Sequence, residues 1–172
     1  YSAKTLKLVE NIEQLDMEDR AKYNKMFKHY IFSNLPPSKG SSIIAAALQA
    51  NGFNYVRSPK ILHDMGLSPV VTQRDLTELQ LSKPIIAGEL PPQYQHSSNN
   101  FFYLENMLHT NEKHITKLAF SDHKLNNYGQ IARIIVVDRG FKEGINLMDV
   151  KYIHILEHQL TDSDEVQIVG RA

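Results

Sequence analysis

The chain has no cysteine. Disulfide frameworks and thiolate metal sites are therefore excluded, and a reducing compartment is compatible with that composition. It has no net charge either, with 19 Lys and Arg against 19 Asp and Glu. No global field draws it towards nucleic acid, so any such contact must come from a local patch or from another polypeptide segment. No apolar run approaches the ~18 residues of a membrane span, and no charged-then-apolar leader opens the chain, which together predict a soluble protein. The phosphate-binding pattern with Gly-Lys-Ser/Thr after four spacer residues is missing, and so is the Gly-x-Ser-x-Gly elbow of serine hydrolases.

What remains is ordinary globular material. At 172 residues, 42% hydrophobic and 22% charged, the chain is one domain's length and can bury a real core. The clearest signal is Ile134-Ile135-Val136-Val137, which runs into Asp138-Arg139-Gly140-Phe141-Lys142-Glu143-Gly144-Ile145-Asn146-Leu147. Four β-branched residues ending at a polar loop predict a strand buried on both faces. In an open parallel sheet, ligands sit at the carboxyl end of such a strand. A second run, Tyr152 to Leu156, predicts the next strand, followed by the polar 161–165 and then Gln167-Ile168-Val169-Gly170-Arg171.

Earlier in the chain, residues 1–27 carry spaced apolar positions among many charges. They predict an amphipathic helix including Glu18 to Phe27 with Asp16 as its cap, either a connector between domains or a surface helix over a sheet edge. Lys28 to Ser33 is β-prone. Pro36 and Pro37 interrupt it, a serine ahead of Ile43 is placed to cap a helix through Ala50, and Phe53 to Val56 resumes as a strand. The Ser38 to Ser42 turn has two readings: a capped helix with a solvated lysine, or a phosphate cradle built from backbone N–H groups, the helix dipole and Lys39.

Prolines at 59, 69, 84, 91 and 92 break 57–100 into an irregular insertion, expected to carry one or two short helices including Thr72 to Leu79, and best suited, if anything, to binding a partner. Regularity returns with a strand at 101–104, a helix at about 112–120 and a strand at 131–137. Alternation of strand and helix predicts an α/β fold with a mostly parallel sheet and helices on both faces. His154 and His158 bracket Glu157, but the order is wrong for the zinc-protease helix and no metal site is expected there.

The wording of residues 140–147, of Asp149 to Glu157 and of Gln167 to Arg171 resembles motifs V and VI of superfamily 2 helicases and related nucleic-acid-dependent ATPases. Within them it looks most like the helicase-type ATPases of large cytoplasmic DNA viruses, the group of the early transcription factor ATPase subunit and the nucleoside triphosphate phosphohydrolase. Residues 28–56 resemble the motif IV region more loosely. The resemblance implies that 28–172 form a RecA-like C-terminal domain, with 1–27 as a helical lead-in.

It further implies ATP with Mg2+, held mainly by an N-terminal RecA-like domain of the same protein. Arg171 would be the arginine finger, a group that can contribute ~10³ to 10⁵ in rate, and Gln167 its companion on the same helical face. Gly144 and Asn146 would lie against the nucleotide, with Asn146 standing where many relatives carry aspartate. Lys39, Gly40, Ser41, Arg139 and Lys142 would contact DNA or RNA. Viral RNA polymerase or transcription factor subunits are the implied partners, and the virion and host cytoplasm the implied location. A start at Tyr1 and a second motif VI arginine falling beyond Ala172 are expected of a piece of a longer protein. The alternative is an inactive helicase-like domain that docks polymerase or another transcription factor.

Overall fold

The structure is a computed structural model and describes residues 3–71, 77–81, 92, 95–139, 149–156 and 167–170. It opens with helix α1 (Ala3–Tyr23), followed by β1 (Lys28–Ser33), α2 (Ser41–Ala50), β2 (Asn54–Tyr55), α3 (Ser58–Asp64), a hairpin of β3 (Leu67–Val71) and β4 (Thr77–Leu81), β5 (Asn100–Leu104), α4 (Thr110–Ser121), β6 (Ile134–Val137), β7 (Val150–Leu156) and β8 (Gln167–Gly170). The main sheet has the order β2-β5-β6-β1-β7-β8. Its first five strands are parallel and β8 pairs antiparallel with β7. That is the mostly parallel α/β arrangement expected of a RecA-like layout.

Both faces of this sheet are covered, and the strand period of two sorts the side chains between them. Tyr30, Phe102, Leu104, Ile135, Val137 and Ile153 point into one core with Leu62 of α3 and Ala119 and Phe120 of α4. Ile31, Phe101, Tyr103, Ile134, Val136 and Leu156 point into the other, with Leu8, Val9 and Ile12 of α1 and Ile44, Ala47 and Leu48 of α2. Burying each of these α1 side chains contributes about 1.5–3 kcal/mol.

The first helix runs to Tyr23 and begins well before Asp16, which is buried in its interior and does not cap it. The apolar face continues from Leu8 and Ile12 into Asp16 and Asp19, so two acids point under the sheet. Helix α2 starts at Ser41 with Gly40 as its cap residue and no side-chain cap bond. Its Ser41 hydroxyl is bonded to the Tyr103 hydroxyl at 2.8 Å, which removes the serine from capping.

The insertion is more integrated than its prolines predict. Leu62 and Leu67 are core residues, Arg57 clasps Glu112 of α4 through two nitrogens, and Ser58 meets Thr116 at 2.7 Å. Of the short helix expected over Thr72 to Leu79, residues 72–76 lie outside the described residues, and Thr77 to Leu79 are strand, not helix, in register with Pro69 to Val71. The strand expected over 131–137 is regular only from Ile134. Residues 131–133 are held as a turn by Asn126, whose amide donates to the Phe120 and Ala132 carbonyls and accepts from the Ile131 and Ala132 N–H groups.

Candidate functional site

Strand β1 lies where the winding reverses, because the chain leaves it for the β2 edge, returns through β5 and β6, and then passes to β7 on the other side. Ligands of open α/β sheets sit at the carboxyl ends around such a point. Here those ends are Ser33, Leu104, Val137 and Leu156, with Phe32 beside Val137 and Ser33 beside Leu156. The loops that contain Lys39 and Arg139 therefore leave neighbouring strands at one edge, and both residues are exposed.

Gly40 and Ser41 shape this loop from inside. Both are buried. A Cβ on Gly40 would lie 2.2 Å from Ser33 Oγ and 2.8 Å from Leu35 Cβ, so only glycine fits. The Lys39 and Gly40 N–H groups donate to the Pro36 and Pro37 carbonyls, so the backbone cradle offered by the turn is already partly occupied. Of the three turn positions assigned to nucleic acid, Lys39 alone presents its side chain to solvent. Asp138, next to Arg139, is 2% exposed and accepts the Asn106 N–H at 3.2 Å, tying the β5–α4 loop to the end of β6.

Lys142, Gly144, Asn146 and Arg171 lie outside the described residues, as do Glu157 and His158. Gln167 opens β8 opposite Ile155, and Gly170 stands opposite Tyr152. The helix expected to place Gln167 and Arg171 on one face is thus a strand over Gln167–Gly170, and its backbone runs from the carboxyl edge towards the amino edge. Pairing with the exposed side of β7 explains the difference, since Ile168 and Val169 complete that strand's hydrogen bonds. Among the described residues no cluster of His, Asp or Glu could hold a metal ion.

A second constellation, under the amino ends of the strands, was not expected. Asp16 of α1 accepts the His29 Nε2–H at 2.9 Å and its other oxygen lies 2.6 Å from Arg133 Nη1. That nitrogen lacks a well-aligned hydrogen bond, which makes the contact an ion pair rather than a directed bond. Arg133 is otherwise anchored by Nε to the Ser98 carbonyl and by Nη2 to Asn99 Oδ1, both at 2.9 Å. His29 Nδ1 meets His154 Nε2 at 2.8 Å. Burial lowers the pKa of His29 against the pull of Asp16, and burial and then His29 hold His154 well below the ordinary value.

Both imidazoles are therefore neutral at pH 7. His29 donates Nε2–H to Asp16 and receives Nε2–H from His154, which leaves His154 Nδ1 as a lone pair without a partner among the described residues. Both rings are wholly buried, so this chain of polar groups fastens α1 to the sheet and has no access to substrate. Lys151 and Tyr152 extend the fastening by bonding Asp19 at 2.5 and 2.9 Å. The signal in the sequence was the spacing of Asp16 and Asp19, in phase with Leu8 and Ile12.

No family model, no curated protein and no solved structure matches the chain.

Proposed function

We propose that this chain is the second RecA-like domain of an ATP-driven nucleic-acid helicase or translocase of the viral, transcription-linked type that its motif wording resembles. The observation that carries the reading is the strand order. It sets the carboxyl ends of β1 and β6 beside each other at the reversal of winding, with Lys39 and Arg139 exposed in the segments that follow them. In this reading Lys39, Arg139 and Lys142 hold strand phosphates, and Gly40 and Ser41 keep the first loop in shape. Gly144, Asn146, Gln167 and Arg171 face a nucleotide whose Mg2+ and phosphates are bound mainly by a preceding N-terminal RecA-like domain. Movement of that domain against this one would shift the two loops and the strand they hold.

The test is binding of a labelled single strand across a salt series. Lys39→Ala with Arg139→Ala removes two phosphate contacts and should flatten the log–log salt slope by about 1.4. An unchanged slope removes the carboxyl edge from nucleic-acid binding. The chain alone should hydrolyse essentially no ATP, and appreciable turnover lost in Arg171→Ala would refute a site shared between two domains.

One observation favours the docking alternative, a helicase-like domain without motor activity. The Gln167–Gly170 backbone leads away from the carboxyl edge, which is the wrong direction for a segment that must follow the nucleotide at that edge. Under that reading neither the salt slope nor any reconstituted ATPase responds to Lys39, Arg139 or Arg171. No helix among the described residues is long and apolar enough to cross a membrane.

A further inference from the structure

Two clefts open side by side at the amino edge of the sheet, the end opposite Lys39 and Arg139. One, of about 390 Å³, is lined by the rings of Tyr23, Phe27 and Tyr128 together with Lys151, His123 and Asp149. The other, of about 230 Å³, is polar, with Arg20 and Lys25 as its cations and His96 in its lining. Tyr128 lines both.

Three features distinguish this edge from a packing gap. Tyr23 and Tyr128 both meet Phe27 edge-to-face, at 86° and 71° with ring centroids 5.5 and 5.6 Å from it, so three rings line one aromatic slot, and Tyr23 is 46% exposed. Between Lys28 and His29 the β1–β7 register slips, with Lys28 opposite Val150 but His29 opposite Tyr152. Lys151 is the extra residue. Bulges re-aim side chains, and this one sends the ammonium over the Tyr23 and Phe27 rings at 4.6 and 4.5 Å. Finally, Asn24 and Asp149 both have positive φ, and Asp149 is thereby placed to meet His123 at 2.8 Å.

The charge decides the ligand class. Lys25 already lies over Tyr128 at 4.2 Å and Lys151 over two rings, so a cationic guest would meet cations. The carboxylates are engaged, Asp19 by Lys151 and Tyr152 and Asp149 by His123. A flat π-system joined to an anion fits instead. In a chain with no net charge, stacking rings beside clustered Arg20, Lys22 and Lys25 are the pattern by which single strands are held without sequence preference.

We propose that this amino edge is a second contact site for single-stranded nucleic acid, with a base in the aromatic slot against Tyr128 and its phosphate in the neighbouring cleft against Arg20 and Lys25. The site is independent of the carboxyl-edge reading. Nothing in it uses Lys39, Arg139 or ATP.

The experiment therefore uses the chain with Lys39→Ala and Arg139→Ala as background, and a fluorescein-labelled oligothymidylate of about eight nucleotides. Binding should persist in that background. Tyr128→Ala should weaken it roughly tenfold and Tyr128→Phe should restore it, since the ring and not the hydroxyl stacks. Lys25→Ala, at an exposed position, should flatten the salt slope by about 0.7. Photocrosslinking with iodouracil should mark the peptides of Tyr23, Phe27 or Tyr128. The proposal is overturned if binding vanishes in the background chain, if natively folded Tyr128→Ala and Lys25→Ala bind as before, or if adducts fall elsewhere. Thymidine monophosphate binding as tightly as the oligomer would overturn the strand in favour of a free nucleotide.

Discussion

Replacing Asp16 by Asn should cost this protein about 3 kcal/mol of folding stability. The substitution keeps the side chain's shape and removes only the charge. What it leaves behind is the Arg133 guanidinium, 1% exposed, with two neutral acceptors, Ser98 O and Asn99 Oδ1, and no anion. An uncompensated buried charge of this kind costs about 3–5 kcal/mol. The lower figure applies because the new amide oxygen can still accept His29 Nε2–H, at the expense of turning its NH2 group towards Arg133. A loss of 3 kcal/mol lowers the folding equilibrium constant roughly a hundredfold. Urea unfolding at pH 7, followed by far-ultraviolet circular dichroism, measures it as a shift in midpoint at constant m. Adding Arg133→Met should recover part of the loss, because the orphaned charge leaves with it. A cost below about 1 kcal/mol, or a double mutant no better than Asp16→Asn, would show that α1 is not fastened to the sheet by this pair.

The histidines set a pH dependence. Their folded-state pKa values lie below the unfolded value of ~6.5, so the unfolded chain binds more protons, and stability is full above about pH 6.5 and falls as pH drops below it. The slope should reach up to about 1.4 kcal/mol per pH unit for each ring, and His154→Leu should shallow it; a flat profile from pH 7 to 5.5 would contradict the buried neutral pair. Lys28 is wholly buried, and burial pulls its pKa down to about 8 against Asp149 and Asp122. Its protonated form is therefore a burden below pH 8. Lys28→Met should stabilise the protein at pH 7 by about 1–2 kcal/mol, because the Phe120 carbonyl it bonds also accepts Asn126 Nδ2. That gain should shrink as pH rises past 8 and wild type sheds the proton, whereas a destabilised variant at pH 7 would disprove the assignment. Gly129 has φ +74, and a Cβ there would stand 2.5 Å from Arg133 Cα, so Gly129→Ala should lower stability by about 2–3 kcal/mol in the same urea assay.

The buried strands were legible because β-branched and aromatic runs with sheet-like length can satisfy their apolar surface in few other ways. Ile134 to Val137, Tyr152 to Leu156 and Phe101 to Leu104 needed no tertiary information. Local rules failed where a distant partner overruled them. Asp16 has a cap's chemistry, but Arg133 and His29 are stronger partners for its carboxylate. Ser41 has an N-cap's chemistry too, and Tyr103 takes its hydroxyl. Thr77 to Leu79 and Gln167 to Gly170 became strands because a neighbouring strand offered unpaired backbone groups, which no periodicity of their own could reveal.

For the site the division is similar. The loops after β1 and β6 could be named from the polar residues that end apolar runs, and Lys39 and Arg139 are where such loops put them. The amino-edge slot could not be found that way. Tyr23, Phe27, Tyr128 and Lys151 come from three separate segments, and their meeting depends on where α1 ends and on one extra residue in β7.

Sequence alone determined the class of the fold, an α/β sheet buried on both sides, since hydrophobic pattern acts over a few residues and survives without context. Only the tertiary structure decided which polar groups are buried together and which cations face solvent, because a charge is stabilised by its surroundings, and those arrive from parts of the chain as far apart as Asp19 and Lys151.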